Sequence, residues 1–348
     1  MKTNQHNVNT GRTGLPVSKV IGMGNALVDL IFHLESDRLL KDFCLPKGSM
    51  TLIGQEKAEE ILGRFQHKAD AVVTGGSASN TITAIARMGG ECGFIGRTGS
   101  GDRYANFYKE FFGRHHIRTY FSHAAIPTGT AITLMSPDTE RTFATYLGAA
   151  ATLSEEDIEE AFFKDYDFFH IEGYMVQNQA LMEKAVSSAK RQGLKVSLDM
   201  ASYNIVLENR EFLDKLLRKD VDIVFANEEE ASAFTGKNEL EALCRLAEWV
   251  PTAIVKLGSR GSLVMDRGRL YHVEAEKVTK IDSNGAGDNY AAGFLYGLCC
   301  GLPARQCGEI ASMVATEAVK VTGPKLSEEQ WEKILPRIEV IKMEAERR

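Results

Sequence analysis

Long hydrophobic runs, basic tracts and paired metal-ligand spacings are all missing from this sequence, and each absence removes a class of function. No segment approaches the ~18 consecutive apolar residues of a membrane-spanning helix, so a membrane is not an expected partner. The 41 basic and 47 acidic residues are scattered in mixed order and leave a net charge of −6. Without a basic run to track a phosphate backbone, nucleic acid is not an expected partner either. The six cysteines, Cys44, Cys92, Cys244, Cys299, Cys300 and Cys307, show no paired spacing for a metal, and neither do the eight histidines. Reduced, buried thiols in a cytoplasmic protein are the expectation. Residues 1–16 are polar and lack the apolar core of a signal peptide, so they are expected to form a flexible tail. Repeats of fixed period and low-complexity tracts are lacking too.

What is present is the pattern of a folded α/β chain, with 44% of 348 residues hydrophobic and so enough material for a sizeable core. The stretch that organises the rest is Val278-Thr279-Lys280-Ile281-Asp282-Ser283-Asn284-Gly285-Ala286-Gly287-Asp288. It reads as a short β-branched strand, a turn of small residues, and a helix with Ala291, Phe294, Leu295 and Leu298 at helical spacing. A helix that starts inside Gly285-Ala286-Gly287 leaves its first N–H groups open. Those donors and the positive end of the helix dipole attract an anion such as phosphate. Asp288 beside such a cradle would repel the ligand unless it has its own task, such as taking a proton from a hydroxyl that attacks phosphorus. The combination points to phosphoryl transfer.

Along the chain, strands are read over residues 17–23, 26–34, 71–73 and 92–95, with helices over 56–65 and after Gly75-Gly76-Ser77-Ala78-Ser79-Asn80. Residues 38–51 read as irregular. Strands over 131–135 and 142–146 pair as a hairpin across a polar turn, and Ser154 with Asp157 resembles a capping box that opens a helix. Strands over 168–171, 195–198, 223–226 and 253–257 then alternate with helices over 179–191, 208–217, 229–234 and 239–249. A hairpin over 261–273 and helices near 304–320 and 328–345 complete the reading. Strands alternating with crossover helices imply a mainly parallel sheet covered on both faces, with ligands at the carboxyl ends of the strands.

Several further constellations have a plain and a chemical reading. Gly22-Met23-Gly24 lacks the third glycine of a dinucleotide-binding turn and is followed by a strand, so that reading is set aside. Gly75-Gly76-Ser77 with Asn80 combines close backbone approach with polar side chains, although a structural turn would also use the glycines. Asn227-Glu228-Glu229-Glu230 either complements a helix dipole or holds Mg²⁺ through water. Gly258 and Gly261 lie in a loop that could approach a nucleotide. Arg141 is either a solvated charge in the hairpin turn or a flap residue that reaches a transferring phosphoryl group.

Together these residues resemble the carbohydrate and nucleoside kinases of the ribokinase-like superfamily, the phosphofructokinase B family. Asp282 to Leu295 is similar to the family's C-terminal signature, Gly75 to Thr81 to its N-terminal pattern, and Asn227 with Glu230 to its Asn-x-x-Glu element, in order over residues 17–325. The resemblance implies a three-layer α/β/α fold with a mainly parallel sheet and a small β lid. It implies one kinase domain over 17–348, with lid segments at about 30–53 and 126–147. It also implies an ATP-dependent enzyme that uses Mg²⁺, with room for a monovalent cation such as K⁺ near Asp282. By resemblance, Asp288 would be the catalytic base, Gly285, Ala286 and Gly287 the anion hole, and Arg141 a lid residue at the phosphates. Asn25, Asp29, Gly76, Ser77, Asn80 and Tyr174 would line the acceptor pocket. Asn227, Gly258 and Gly261 would lie at ATP, and Asn227 with Glu230 would hold Mg²⁺ through water.

Gly22 to Asp29, Asn284 and the chain length lean toward the adenosine kinase branch, with Tyr174 placed where a purine would stack. Glu172, by contrast, falls where ribokinase also has a glutamate. The expected substrate is therefore a small molecule, a ribose-containing nucleoside such as adenosine phosphorylated on its hydroxymethyl group. A sugar kinase of the ribokinase or fructokinase type is the alternative, and a non-catalytic sugar- or nucleotide-binding member is the alternative from another class. Monomer and homodimer both remain open.

Overall fold

The computed structural model describes residues 18–65 and 69–347, so the tail expected over 1–16 lies outside the described residues. Strands run β1 Val20–Met23, β2 Leu27–His33, β3 Met50–Leu52, β4 Ala71–Gly75, β5 Cys92–Gly99, β6 Arg118–Ala124 and β7 Thr128–Met135. They continue as β8 Arg141–Gly148, β9 Phe168–Glu172, β10 Lys195–Asp199, β11 Ile223–Asn227, β12 Thr252–Lys256, β13 Ser262–Asp266 and β14 Arg269–Val273. Nine form one sheet in the order β14-β13-β12-β11-β10-β9-β1-β5-β6. Every pair from β12 to β6 in that order is parallel, and only β13 and β14 run against their neighbours.

The apolar runs of this sheet are explained by burial on both faces. Along β11, Ile223 and Phe225 enter one core while Val224 and Ala226 enter the other, because successive side chains point to opposite faces. Helices Ser77–Arg87, Ala286–Cys299, Ala304–Ala318 and Glu328–Glu346 contribute to the first core. Helices Gln179–Arg191, Arg210–Lys219, Glu228–Thr235 and Glu239–Ala247 contribute to the second, which completes the expected three layers. A second, five-stranded sheet has the order β3-β8-β7-β2-β4. It contains the segments read as a lid and also β4, which those segments leave out.

Several sequence expectations change. The capping box at Ser154 and Asp157 forms, but it opens a single 3₁₀ turn, Glu155–Asp157, in place of a helix. Residues 38–51 hold a short helix, Arg38–Asp42, and run into β3. Helix Arg103–Arg114, capped by the Asp102 carboxylate on the N–H groups of Tyr104 and Ala105, and the following β6 were not read from the sequence. The strand expected at the start of the organising stretch is absent: Ile281 and Asp282 donate to the Val319 carbonyl, and Ile281 is 59% exposed. β-branched residues fit a pleated surface, but no neighbouring strand is there to receive these. All six cysteines are free thiols, and Cys44 and Cys244 are exposed, contrary to the expectation of burial. No helix among the described residues is long and apolar enough to cross a membrane.

Candidate active site

Four neighbouring parallel strands of the large sheet each end on a polar residue: β9 on Glu172, β10 on Asp199, β11 on Asn227 and β12 on Lys256. All four line a cavity of about 1130 Å³ at the carboxyl edge of the sheet. The five-stranded sheet supplies the facing wall with Leu27, Asp29, Met50, Leu52, Ala131 and Phe143, among others. The start of helix Ala286–Cys299 supplies Asn284, Gly285, Gly287 and Asp288. Gly285, its N-cap, has φ 74°, and a Cβ there would lie 2.5 Å from Pro324 Cβ. A side chain is excluded on both counts; of the helix-start N–H groups, that of Ala286 donates to the Ser283 carbonyl at 3.2 Å, and Gly285 and Gly287 line the cavity.

Asp288 stands in the first turn of that helix and is held from below. Ser77 Oγ donates to its Oδ1 at 2.7 Å, Asn80 Nδ2 donates to its Oδ2 at 2.9 Å, and Thr81 Oγ1 donates to its backbone carbonyl at 3.1 Å. Lys325 Nζ donates to Asn80 Oδ1 at 3.0 Å. An ammonium can only donate, so Lys325 fixes the Asn80 amide with its NH₂ toward Asp288. Burial pushes the Asp288 carboxyl up to about 6, against the hydrogen bonds from Asn80 and Ser77. It is therefore largely ionised near neutral pH and still basic enough to take a proton.

Asp29 lies in the middle of β2 and points into the same cavity. Among the described residues it has no hydrogen-bond or ion-pair partner, although it is only 7% exposed. Burial pushes it up to about 7, with Lys325 opposing. A buried carboxylate left without a protein partner is equipped to receive ligand hydroxyls. Glu172 behaves differently: Oε1 accepts from Asn25 N and Asn25 Nδ2, at 2.9 and 2.7 Å, and Oε2 accepts from Ala78 N at 2.9 Å. It caps helix Ser77–Arg87 from a distant strand and fixes Asn25. Gly76, with φ 91°, lets the chain pass the Asn25 carbonyl, which a Cβ would meet at 2.1 Å.

Asn227 and Glu230 form a reciprocal capping box: Asn227 N and Nδ2 donate to the two Glu230 oxygens, and Glu230 N donates to Asn227 Oδ1. Both Glu230 oxygens are engaged, and burial raises its carboxyl to about 7. Such a pair can orient the waters of a cation but offers no free carboxylate for direct ligation, which fits an outer-sphere Mg²⁺ site. Lys256 Nζ lies 2.8 Å from Asp199 Oδ2.

Asn25, Asp29, Gly76, Ser77, Asn80, Tyr174, Asn227, Glu230, Gly258, Gly285, Gly287 and Asp288 all line the one cavity. Three expected site residues do not. Ala286 is the first residue of its helix, and its N–H donates to the Ser283 carbonyl at 3.2 Å, so it does not join the expected anion hole. Gly261 packs against β14, where a Cβ would clash with the Val273 carbonyl. Arg141 is the first residue of β8 and is neither exposed nor in a turn: its Nη1 lies 2.6 Å from Asp282 Oδ2, with both side chains 8% exposed. Asp282 also accepts from Asn284 N and Gly323 N, so this ion pair ties the five-stranded sheet to the loop ahead of Asp288. Sequence reasoning gave no site role to Asp199, Lys256 or Lys325. The first two end buried parallel strands, a position that was itself the signal; Lys325 follows Gly323-Pro324 and has no local signal.

A profile of the pfkB family carbohydrate kinases matches residues 57–331. An aminoimidazole riboside kinase from Salmonella typhimurium is 27% identical over 246 residues, 64% of this chain and 73% of that protein. Among solved structures, an adenosine kinase from Sinorhizobium meliloti superposes with a TM-score of 0.83 at 28% identity, covering 92% of this chain and 99% of that one. A probable sugar kinase from Rhizobium etli matches with the same TM-score and identity, covering 93% and 99%. The fold is ribokinase-like. Because the family profile spans most of the sequence and the cavity stands at its sheet edge, this chain belongs to the pfkB family of carbohydrate kinases and is a phosphotransferase.

Proposed function

We propose that this kinase transfers the terminal phosphoryl group of ATP to the hydroxymethyl group of a ribose-containing nucleoside, with adenosine as the first acceptor to test. The observation that carries the proposal is the composition of the cavity: an unpartnered Asp29 and the held Asp288 stand beside an apolar wall of Leu27, Met50, Leu52, Ala131, Phe143 and Leu147. Sugar hydroxyls need only the polar part, whereas an attached base would bury its faces against the apolar part and Tyr174. The fold-level similarity to an adenosine kinase supports the same reading. A sugar acceptor is the second reading, supported by the equal similarity to the probable sugar kinase.

In this reading Asp29 accepts hydrogen bonds from two ribose hydroxyls, while Asn25 and Asn80 complete the acceptor pocket. Asp288, oriented by Ser77 and Asn80, takes the proton from the hydroxymethyl oxygen as that oxygen attacks phosphorus. The N–H groups of Gly285 and Gly287 at the helix start receive the phosphoryl oxygens, while that of Ala286 is taken by the Ser283 carbonyl. Gly258 and Asn227 lie at ATP. Asn227 and Glu230 would hold Mg²⁺ through water; when bound, the ion neutralises phosphate charge. The Asp282 carboxylate accepts from Asn284 N and Gly323 N and pairs with Arg141, and no step is assigned to a monovalent cation held by the carbonyls of this loop. The five-stranded sheet would act as the lid that excludes water over the acceptor.

A coupled ADP-release assay across adenosine, other nucleosides, ribose and fructose tests the proposal. Adenosine or a related nucleoside should give a kcat/KM at least ~10-fold above any free sugar. A free sugar as the best substrate would sink the nucleoside reading and leave the kinase intact.

A further inference from the structure

We infer that Lys256 is a further catalytic residue, whose ammonium group meets the negative charge of the phosphoryl group in transit. The inference rests on placing phosphoryl transfer at Gly285 to Asp288, and it is independent of which acceptor is used. Lys256 ends β12 and lines the cavity with its side chain 14% exposed. A Cβ built on Gly287 would lie 3.1 Å from its Nζ, so the ammonium sits against the second glycine of the anion cradle. One of its three N–H groups is directed to Asp199, and among the described residues no other acceptor is paired with it. The remaining donors have only the cavity to serve.

Charge gives the reason for a lysine here. Asp199, Glu230 and Asp288 all line this end of the cavity, and a polyphosphate entering among three carboxylates would be repelled. Lys256 acts on all three: burial raises the Glu230 and Asp288 carboxyls with the ammonium opposing, the ammonium helps hold Asp199 below its usual value against burial, and Asp199 and Glu230 in turn outweigh burial and keep the ammonium protonated. A protonated lysine supplies a point charge on the donor side, as the Asn80 and Ser77 contacts supply orientation on the base side. In the reaction the bond from phosphorus to the ADP oxygen breaks, the bond to the acceptor oxygen forms, and the acceptor proton passes to Asp288. Lys256 stays protonated throughout. Asp199, which accepts from Ala201 N at 3.0 Å and pairs with Lys256, is a positioning residue.

Lys256→Met and the double variant Asp199→Asn/Lys256→Met test this, with turnover measured on the best acceptor and ATP and ADP binding measured by calorimetry. Lys256→Met should lower kcat by ~10²–10³-fold, change acceptor KM by less than about threefold, and weaken ATP binding more than ADP binding. The single variant leaves a buried carboxylate unpaired and can lose stability for that reason alone. The double variant removes both charges, so its melting temperature should return toward wild type while its turnover stays low and its preference for ATP over ADP stays lost. Wild-type-like turnover in Lys256→Met, or turnover restored in the double variant, would overturn the inference and leave Lys256 as a partner for Asp199 only. Retained turnover in Asp288→Asn would instead show that the transfer centre itself is misplaced.

Discussion

Asp29 and Asp288 are two buried carboxylates in one cavity, and their surroundings set them at different tasks. Asp288 has two side-chain donors and is pushed up to about 6; Asp29 has none among the described residues and is pushed up to about 7. In the proposed reaction both act ionised, one as proton acceptor and one as acceptor of sugar hydrogen bonds. The kcat/KM of the free enzyme should therefore fall as pH drops through about 7 and 6, with a limiting slope steeper than one proton. A pH–rate profile flat down to about pH 5 would contradict this. The same shift acts on stability with a definite sign. The folded state holds the Asp29 proton more tightly than the unfolded chain does, so its contribution is fully present below about pH 4 and is lost as pH rises through about 7. Asp29→Asn, uncharged at every pH, should be more stable than wild type at about pH 8 by roughly 1–3 kcal/mol, with the gap narrowing toward pH 5. Thermal unfolding at both pH values checks this, and an unchanging gap would contradict it.

Helix Ala286–Cys299 shows how an element can be specified by contact more than by propensity. Ala is a better helix former than Gly by ~1 kcal/mol, yet a Cβ at Gly293 would lie 2.6 Å from Ala311 Cα of the neighbouring helix. Backbone atoms cannot move aside as a flexible side chain can, so the clash outweighs the propensity. Gly293→Ala should destabilise the protein by roughly 1–3 kcal/mol in chemical denaturation, and a neutral result would mean that the two helices can separate. The capped start of helix Glu228–Thr235 would, on the proposed reading, combine capping with a role at Mg²⁺, and the two are separable. Glu230→Gln keeps a cap oxygen and removes the charge, so it should change the melting temperature little while raising the Mg²⁺ needed for half-maximal turnover ~10-fold or more. An unchanged Mg²⁺ requirement would assign Glu230 to capping alone.

Legibility in the sequence follows the same division. The Gly285 to Asp288 turn and the Asn227 to Glu230 cap are local patterns, and a helix start carries its own signal in small and acidic residues. The strand ends at Asp199 and Lys256 become a site only when four strands lie side by side, and Lys325 reaches Asn80 across 245 positions of chain. Arg141 was misplaced for a related reason: its neighbours in the chain are turn-like and polar, but its partner, Asp282, is distant in sequence and buried.

At the scale of the molecule, two sheets meet around one cavity: the large sheet brings Glu172, Asp199, Asn227 and Lys256 at its carboxyl edge, and the five-stranded sheet brings Asp29 and the apolar wall. The Arg141–Asp282 pair and the Asp288 contacts from Ser77 and Asn80 join these parts at the point where transfer is proposed. Everything in the proposal converges on one proton acceptor. The most direct test is turnover of Asp288→Asn with ATP and the best acceptor, alongside its affinity for ATP. Turnover should fall by ~10³-fold or more while the ATP Kd stays within about threefold of wild type; turnover close to wild type would show that Asp288 is not the base.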